Sequence, residues 1–265
     1  MSFLAFVLPL SSLPLSSVSS ATAEREAVNE QENQRANREE MHLCSLLQQV
    51  HITPARVLYA TLSDEHHPLA LRITILGETS IPSVPLLLDA LTAQPALRVG
   101  RHHYRVKEVL LSGTPWAGLS TWADLLSPPH PQTIWLHLGT PLVLPKDPSV
   151  ASGRVYHFPA PRPVFAELAR RWQELGGPPL PMPPCDLLPL LEDGSIVLTA
   201  YRLQARAMQL DGRVHPGFHG WLSYQCRAQS EALRASFVAL ARFAFFAGAG
   251  TETARGMGAT RISFE

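Results

Sequence analysis

The sequence predicts an α+β fold made of the same β-α-β-β-α-β unit used twice. Three observations predict it. Apolar residues alternate with a period of two at 69–76 and 133–138, as they do in half-buried strands. They recur at helical spacing at 164–175 and 231–247. Between these halves, Pro128, Pro129 and Pro131 crowd the stretch 125–131, a break in regular structure.

Taken in order, Phe3-Leu4-Ala5-Phe6-Val7-Leu8 reads as a buried opening strand. The wider segment 1–23 ends in Ala21-Thr22-Ala23 and also resembles an export signal, though without the positive start such a segment needs. Residues 22–40 are polar throughout and form a solvated insert. Met41, Leu43, Leu46, Leu47 and Val50 restore helical spacing, and 52–62 adds a second helix after Pro54. A strand at 69–76, with Leu69, Leu71, Ile73 and Ile75 on one face, a short helix at 84–91 and a strand at 104–111 complete the first half. The second half has a strand at 133–138, a helix at 164–175 and a proline-rich connection at 176–189. Two long strands, 196–210 and 220–227, join around Asp211-Gly212, and a helix at 231–247 and a strand at 260–264 follow. Two tandem ferredoxin-like units result, a degenerate one over 1–127 and a second over 132–265, each an antiparallel sheet with helices on one face. RNA-recognition domains use the same unit.

Composition narrows the function classes. Lys plus Arg equals Asp plus Glu at 22 each in 265 residues, which argues against a protein that coats long stretches of nucleic-acid backbone but not against one reading a short site. Eleven histidines add cations that pH can switch on beside a phosphate. Cys44, Cys185 and Cys226 lack the paired spacing of a metal cluster or disulfide framework, so neither metal nor cofactor is expected. No apolar run approaches the roughly 20 residues of a membrane span.

The stretch with the most unusual chemistry is 245–262. Two Gly-x-Gly pairs, Gly248/Gly250 and Gly256/Gly258, bracket five small or polar residues between the last helix and the last strand. Each glycine gives up roughly 0.5–1 kcal/mol relative to alanine in regular structure, so the bare backbone must serve something. A row of amides for an anion and a tight packing corner are both consistent with the spacing.

The closing segment Phe246-Ala247-Gly248-Ala249-Gly250-Thr251-Glu252-Thr253-Ala254-Arg255-Gly256-Met257-Gly258 resembles the end of the CRISPR-associated repeat-processing endoribonucleases of the RAMP superfamily. Four earlier stretches agree in the same order. They are Leu71-Arg72-Ile73-Thr74-Ile75-Leu76, Pro115-Trp116-Ala117-Gly118 with Ser120-Thr121, Trp135-Leu136-His137-Leu138-Gly139-Thr140-Pro141, and Gly217-Phe218-His219-Gly220-Trp221. Residues 1–70 depart from the family pattern: Ser63 stands where a histidine is usual, within Leu62-Ser63-Asp64-Glu65-His66-His67.

The resemblance implies metal-independent cleavage of a CRISPR repeat RNA by attack of a 2′-hydroxyl, leaving a 2′,3′-cyclic phosphate. That chemistry needs a base near neutral pKa, a cation for the phosphorane and a device that aligns the oxygens. His66 is the first candidate base, then His51, with His67 beside the first and Tyr59 placed to orient the base or phosphate. Gly248, Gly250, Gly256 and Gly258 with Arg255 and Arg261 make up the RNA-contacting loop, weakened by Glu252 where lysine is usual in the family. Arg101, Arg105 and Lys107 form a second basic stretch, and Arg202 and Arg206 a third on the long hairpin. Trp116, Trp122, Trp135, Trp172 and Trp221 read as core. The expected partner is repeat RNA in the cytoplasm, with other CRISPR effector subunits and a homodimer left open. A non-catalytic RNA-binding subunit of the same superfamily and an exported binding protein are the competing readings.

Overall fold

The computed structural model describes residues 2–12, 57–62, 70–76, 84–93, 97–99, 102–145, 158–210 and 213–265. Two antiparallel sheets organise them. The first contains β1 (Ser2–Ser12), β2 (Val57–Leu62), β3 (Ala70–Leu76), then, after helix α1 (Val84–Ala93), a hairpin β4 (Leu97–Val99) and β5 (His102–Val106), and finally β6 (Gly118–Thr121). Strand β1 is central: it pairs with β3 from Phe3 to Pro9, with β6 from Ser2 to Ala5, and with β5 from Leu10 to Ser12. With β2 beyond β3, the order β6-β1-β3-β2 is that of a ferredoxin-like sheet, and β4-β5 is an added hairpin between α1 and β6.

The second half gives the unit in full. Helix α2 (Trp122–Leu126) leads to β7 (Thr133–Leu142), α3 (Pro161–Glu174), α4 (Pro184–Leu190), β8 (Ile196–Leu210), β9 (Arg213–Cys226), α5 (Glu231–Ala247) and β10 (Thr260–Phe264). The strand order is β10-β7-β9-β8. Along β7, Ile134, Leu136 and Leu138 are buried on the helix side while Thr133, Trp135, His137 and Gly139 face the other way, the period-two pattern of a strand with one covered face. On that covered side Phe165 of α3 packs against Tyr224 and Phe237, at ring-centroid distances of 5.2 and 5.0 Å.

Helix α5 joins the two halves. Ser230 caps it by accepting the Leu233 N–H at 3.2 Å, and Glu231 places negative charge in the first turn. Residues on nearly every side of it are buried, as expected of a helix with protein all round. The Phe3 ring of β1 lies 5.9 Å from Phe243, 5.4 Å from Phe246 and 4.6 Å from Trp122, so one apolar cluster spans both halves. The opening apolar segment is therefore the middle strand of the first sheet, and a cut after Ala23 would remove it.

Four expectations need correction. The second helix placed at 52–62 is strand β2 over Val57–Leu62, antiparallel to β3 at the sheet edge; β-branched and aromatic residues there suit a pleated surface better than a helix. Strand β3 is buried on both faces, not one, because α5 and the glycine loop cover the side carrying Arg72 and Thr74. The fourth strand of the first unit is β6 rather than 104–111, where β5 ends at Val106 and Leu110 makes a single bridge to Val7. The proline-rich connection contains α4, since Pro183 and Pro184 occupy the cap and first turn, where no amide is needed. The polar insert, the helix at 41–50, His42, His51 and Ser63 to His67 lie outside the described residues.

Candidate nucleic-acid interface

The glycine loop folds into two limbs laid on the end of β7. Gly248 ends α5 with φ +72° and donates its N–H to Ala244 O at 2.9 Å. Ala249 N–H reaches across the loop to Gly258 O at 2.8 Å. Gly258 N–H bonds Pro141 O at 2.9 Å, Thr251 N–H bonds Val143 O at 2.8 Å, and Gly139 N–H bonds Ala259 O at 2.8 Å. A one-turn 3-10 segment, Thr253–Arg255, forms the crest, where Ala254 and Arg255 are exposed.

These bonds decide what the glycines are for. A Cβ on Gly258 would lie 1.8 Å from Ala249 O, one on Gly250 2.2 Å from Val143 O, and one on Gly248 2.9 Å from Thr253 Cγ2 and 3.1 Å from Gly258 O. All three also have positive φ, a conformation open to glycine and strained for other residues. Close backbone packing accounts for Gly248, Gly250 and Gly258. Most amides between Gly248 and Ala259 are donated inside the protein, which leaves the crest as the part able to meet a ligand.

Two arginines hold this corner, Arg72 buried and Arg171 half-buried. Arg171 of α3 donates to the carbonyls of Ala247, Gly248 and Gly250. Arg72 of β3, 3% exposed, donates from Nε to Trp116 O at 2.9 Å and from Nη2 to Phe245 O at 2.5 Å, with its guanidinium 4.5 Å from the Phe245 ring centroid. Burial pushes its pKa down to about 9, so it stays charged at neutral pH. It thereby supplies a cation to the C-terminal carbonyls of α5, the end of a helix that favours one. A narrow cleft lies between this part of the first sheet (Leu58, Ala60, Arg72, Thr74) and the loop (Gly248, Thr253, Gly256).

The predicted contact residues fall in different places. Arg255 pairs with Glu252 at 2.9 Å on the crest, so the carboxylate that stands in place of the family's lysine turns on a neighbouring arginine. Glu252 itself has φ +58°, left-handed despite its side chain. Arg261 sits on β10, 5.8 Å over the Trp116 ring. Arg202 and Arg206 are exposed on β8. Lys107 is exposed just after β5, and Arg105 is on β5 opposite Ser11, so this basic stretch belongs to the added hairpin of the first sheet. Tyr59 is on β2 opposite Ile73 rather than on a helix. Arg101, His51, His66 and His67 lie outside the described residues.

One group of residues escaped the sequence reading. Trp116, Trp122 and Trp172 are buried, but Trp135 and Trp221 stand half-buried on the face of the second sheet turned away from its helices, their ring centroids 5.0 Å apart. The alternation in β7 was the available signal, because it puts Trp135 on the opposite face from Ile134 and Leu136. His137 shares that face, 3.3 Å from Ser263 Oγ. Burial, then the Arg261 charge, lowers the His137 pKa, and burial, then Arg206, lowers that of His219. Both imidazoles are neutral at pH 7. A base whose folded pKa is depressed takes up fewer protons when folded, so stability is present above the unfolded value of about 6.5 and falls as pH drops through the lowered values. Thermal unfolding of the protein should therefore move to lower temperature as pH falls below about 6.5, and His137→Gln should reduce the slope. An unchanged slope in that variant means His137 does not carry it.

The described residues form tandem ferredoxin-like units closed by a helix, a glycine loop and a final strand. The family model of the CRISPR-associated endoribonuclease Cas6 matches residues 136–260, from within β7 through the loop to the start of β10. A Cas6 solved as a product complex is 25% identical, with a TM-score of 0.70, over 99% of this chain and 100% of that one. The Cas6 of Thermus thermophilus has the same fold at 24% identity and a TM-score of 0.67, covering 98% of each chain. A Cas6 substrate-mimic complex shares it at 24% identity and a TM-score of 0.71, over 99% of this chain and 100% of that one. No curated protein matches the sequence.

Proposed function

We propose that this protein matures CRISPR RNA, binding a precursor repeat and cutting it as an endoribonuclease. The observation that carries this reading is the likeness to Cas6 along nearly the whole chain, in a product complex, together with the family match across the glycine loop. The 2′-oxygen attacks the adjacent phosphorus as a base takes its proton. The bond to the 5′-oxygen then breaks, and that oxygen leaves with a proton as a 5′-hydroxyl, the other product being a 2′,3′-cyclic phosphate. His66 serves as the base, with His51 the next choice; His67 stands beside His66 in the sequence, and Tyr59 orients the base or the phosphate. Arg255 and Arg261 meet the phosphate near the loop. Arg202 and Arg206 approach the repeat stem, and Arg101, Arg105 and Lys107 form a further track on the added hairpin. The boundary between the units falls at 128–131, giving 1–127 and 132–265. The cytoplasm, where precursor RNA is made, is the working place assigned; no helix among the described residues is long and apolar enough to cross a membrane.

Incubation with the cognate repeat RNA in EDTA tests the reading. Cleavage to a 2′,3′-cyclic phosphate end is expected. Tight binding without cleavage would make the protein a non-catalytic RNA-binding subunit instead.

A further inference from the structure

We infer that the face of the second sheet turned away from its helices is a base-stacking platform for unpaired nucleotides, beside the glycine loop. This rests on the reading of the chain as an RNA-binding protein. The strand register carries it. Arg261 is paired with His137, His137 with Trp221 and Trp221 with Arg202, so one row crosses β10, β7, β9 and β8 in the order guanidinium, imidazole, indole, guanidinium. The next row places Trp135 between Ser263 and Ser223. Aromatic rings thus occupy the two central strands of a four-stranded antiparallel sheet, and cations occupy its edges. RNA-recognition sheets use that arrangement, with rings for bases in the middle and basic groups for phosphates at the sides.

Three further observations favour nucleotides over a protein partner. Trp135 and Trp221 retain exposed surface, whereas the other three tryptophans are buried. None of the strand residues on this face is acidic, and Arg206 extends the positive edge along β8; Glu265 follows β10 at the margin. Charges at both ends of the Trp221 row suit alternating bases and phosphates, while the centre of a protein interface is depleted in charge. The neutral His137 can stack as an aromatic ring.

The test compares a labelled twelve-nucleotide oligoadenylate with an abasic oligomer of the same length and charge, by fluorescence anisotropy at one fixed salt concentration. Stacking is worth about 1–3 kcal/mol per base, or roughly five- to 150-fold. Wild-type protein should bind the adenylate at least about tenfold more tightly than the abasic oligomer. Trp221→Ala should remove most of that advantage and leave abasic binding unchanged, and Trp221→Phe should keep most of it. Equal binding of the two oligomers by wild-type protein, or no binding of either, overturns the inference without any variant. So does a parallel loss of both affinities in a folded Trp221→Ala. Should that variant fail to fold, ultraviolet cross-linking of a 4-thiouridine oligomer to wild-type protein decides: cross-links on β7 and β9 support the platform, and cross-links confined to other elements reject it. Repeat cleavage in EDTA by the same preparation shows that the function stands even where the platform does not.

Discussion

Replacing His66 with alanine is expected to slow repeat cleavage by about 10²–10⁴-fold, the usual contribution of a positioned general base. Repeat affinity should hardly change, because the imidazole acts on a proton and not on the bulk of the RNA. The geometry behind this choice is the end of β2. The Leu62 side chain lies where a Cβ on Gly139 would come within 2.7 Å of it, and Gly139 in turn bonds Ala259 at the exit of the glycine loop. The chain therefore leaves β2 beside the loop, and His66 is four residues further on, within a reach of about 14 Å at full extension. The pH profile provides a second reading. A histidine base must be neutral to act, so the rate should rise with pH as the imidazole loses its proton and then level off. If His66→Ala cuts normally and His51→Ala does not, the base lies before β2 instead of after it. A normal rate in both variants removes histidine from this step.

Much of the second unit was legible because its strands and helices carry their own periodicities. In β7 the pattern Ile134, Leu136, Leu138 is set by one buried face, and α5 matched its predicted span of 231–247 because its cap and apolar sides lie in one continuous stretch. The first unit was harder to read where burial has no period. Strand β3 is covered on both faces, so Arg72 looks like a misplaced charge until the carbonyls of Trp116 and Phe245, distant in sequence, come to meet it. Strand β6, only four residues long, offers too little pattern to register. The sequence likewise marked 248–258 as needing bare backbone but could not say why. The atoms that require it belong to Leu142 and Val143, more than a hundred residues earlier, and to the loop's own opposite limb. Trp135 and Trp221 are a different case: the alternation of β7 already sets Trp135 on the face opposite Ile134 and Leu136, but only the register brings Trp221 of β9 beside it.

Gly258→Ala should be the most destabilising single change in the loop. The added Cβ would stand 1.8 Å from Ala249 O and 2.9 Å from Ala249 C, both backbone atoms, so no side-chain rotation relieves the clash. Relief requires the two limbs to part, which breaks the 2.8 Å bond from Ala249 N–H to Gly258 O and disturbs the 2.9 Å bond from Gly258 N–H to Pro141 O. Left-handed backbone adds a further penalty, φ being +66°. Together these amount to about 4 kcal/mol or more, a fall of roughly 10 °C in melting temperature for a chain of this size. Gly113→Ala separates the terms, because Gly113 has φ +77° with no atom within 4 Å of its added Cβ. That control should show only the backbone cost of about 1–2 kcal/mol. If the two variants melt together, the limbs part without resistance and close packing does not explain the glycines. A gap of several degrees instead ties the bare backbone to the seating of the loop on β7, and the placement of Arg255 and Arg261 beside an RNA phosphate then depends on that seating.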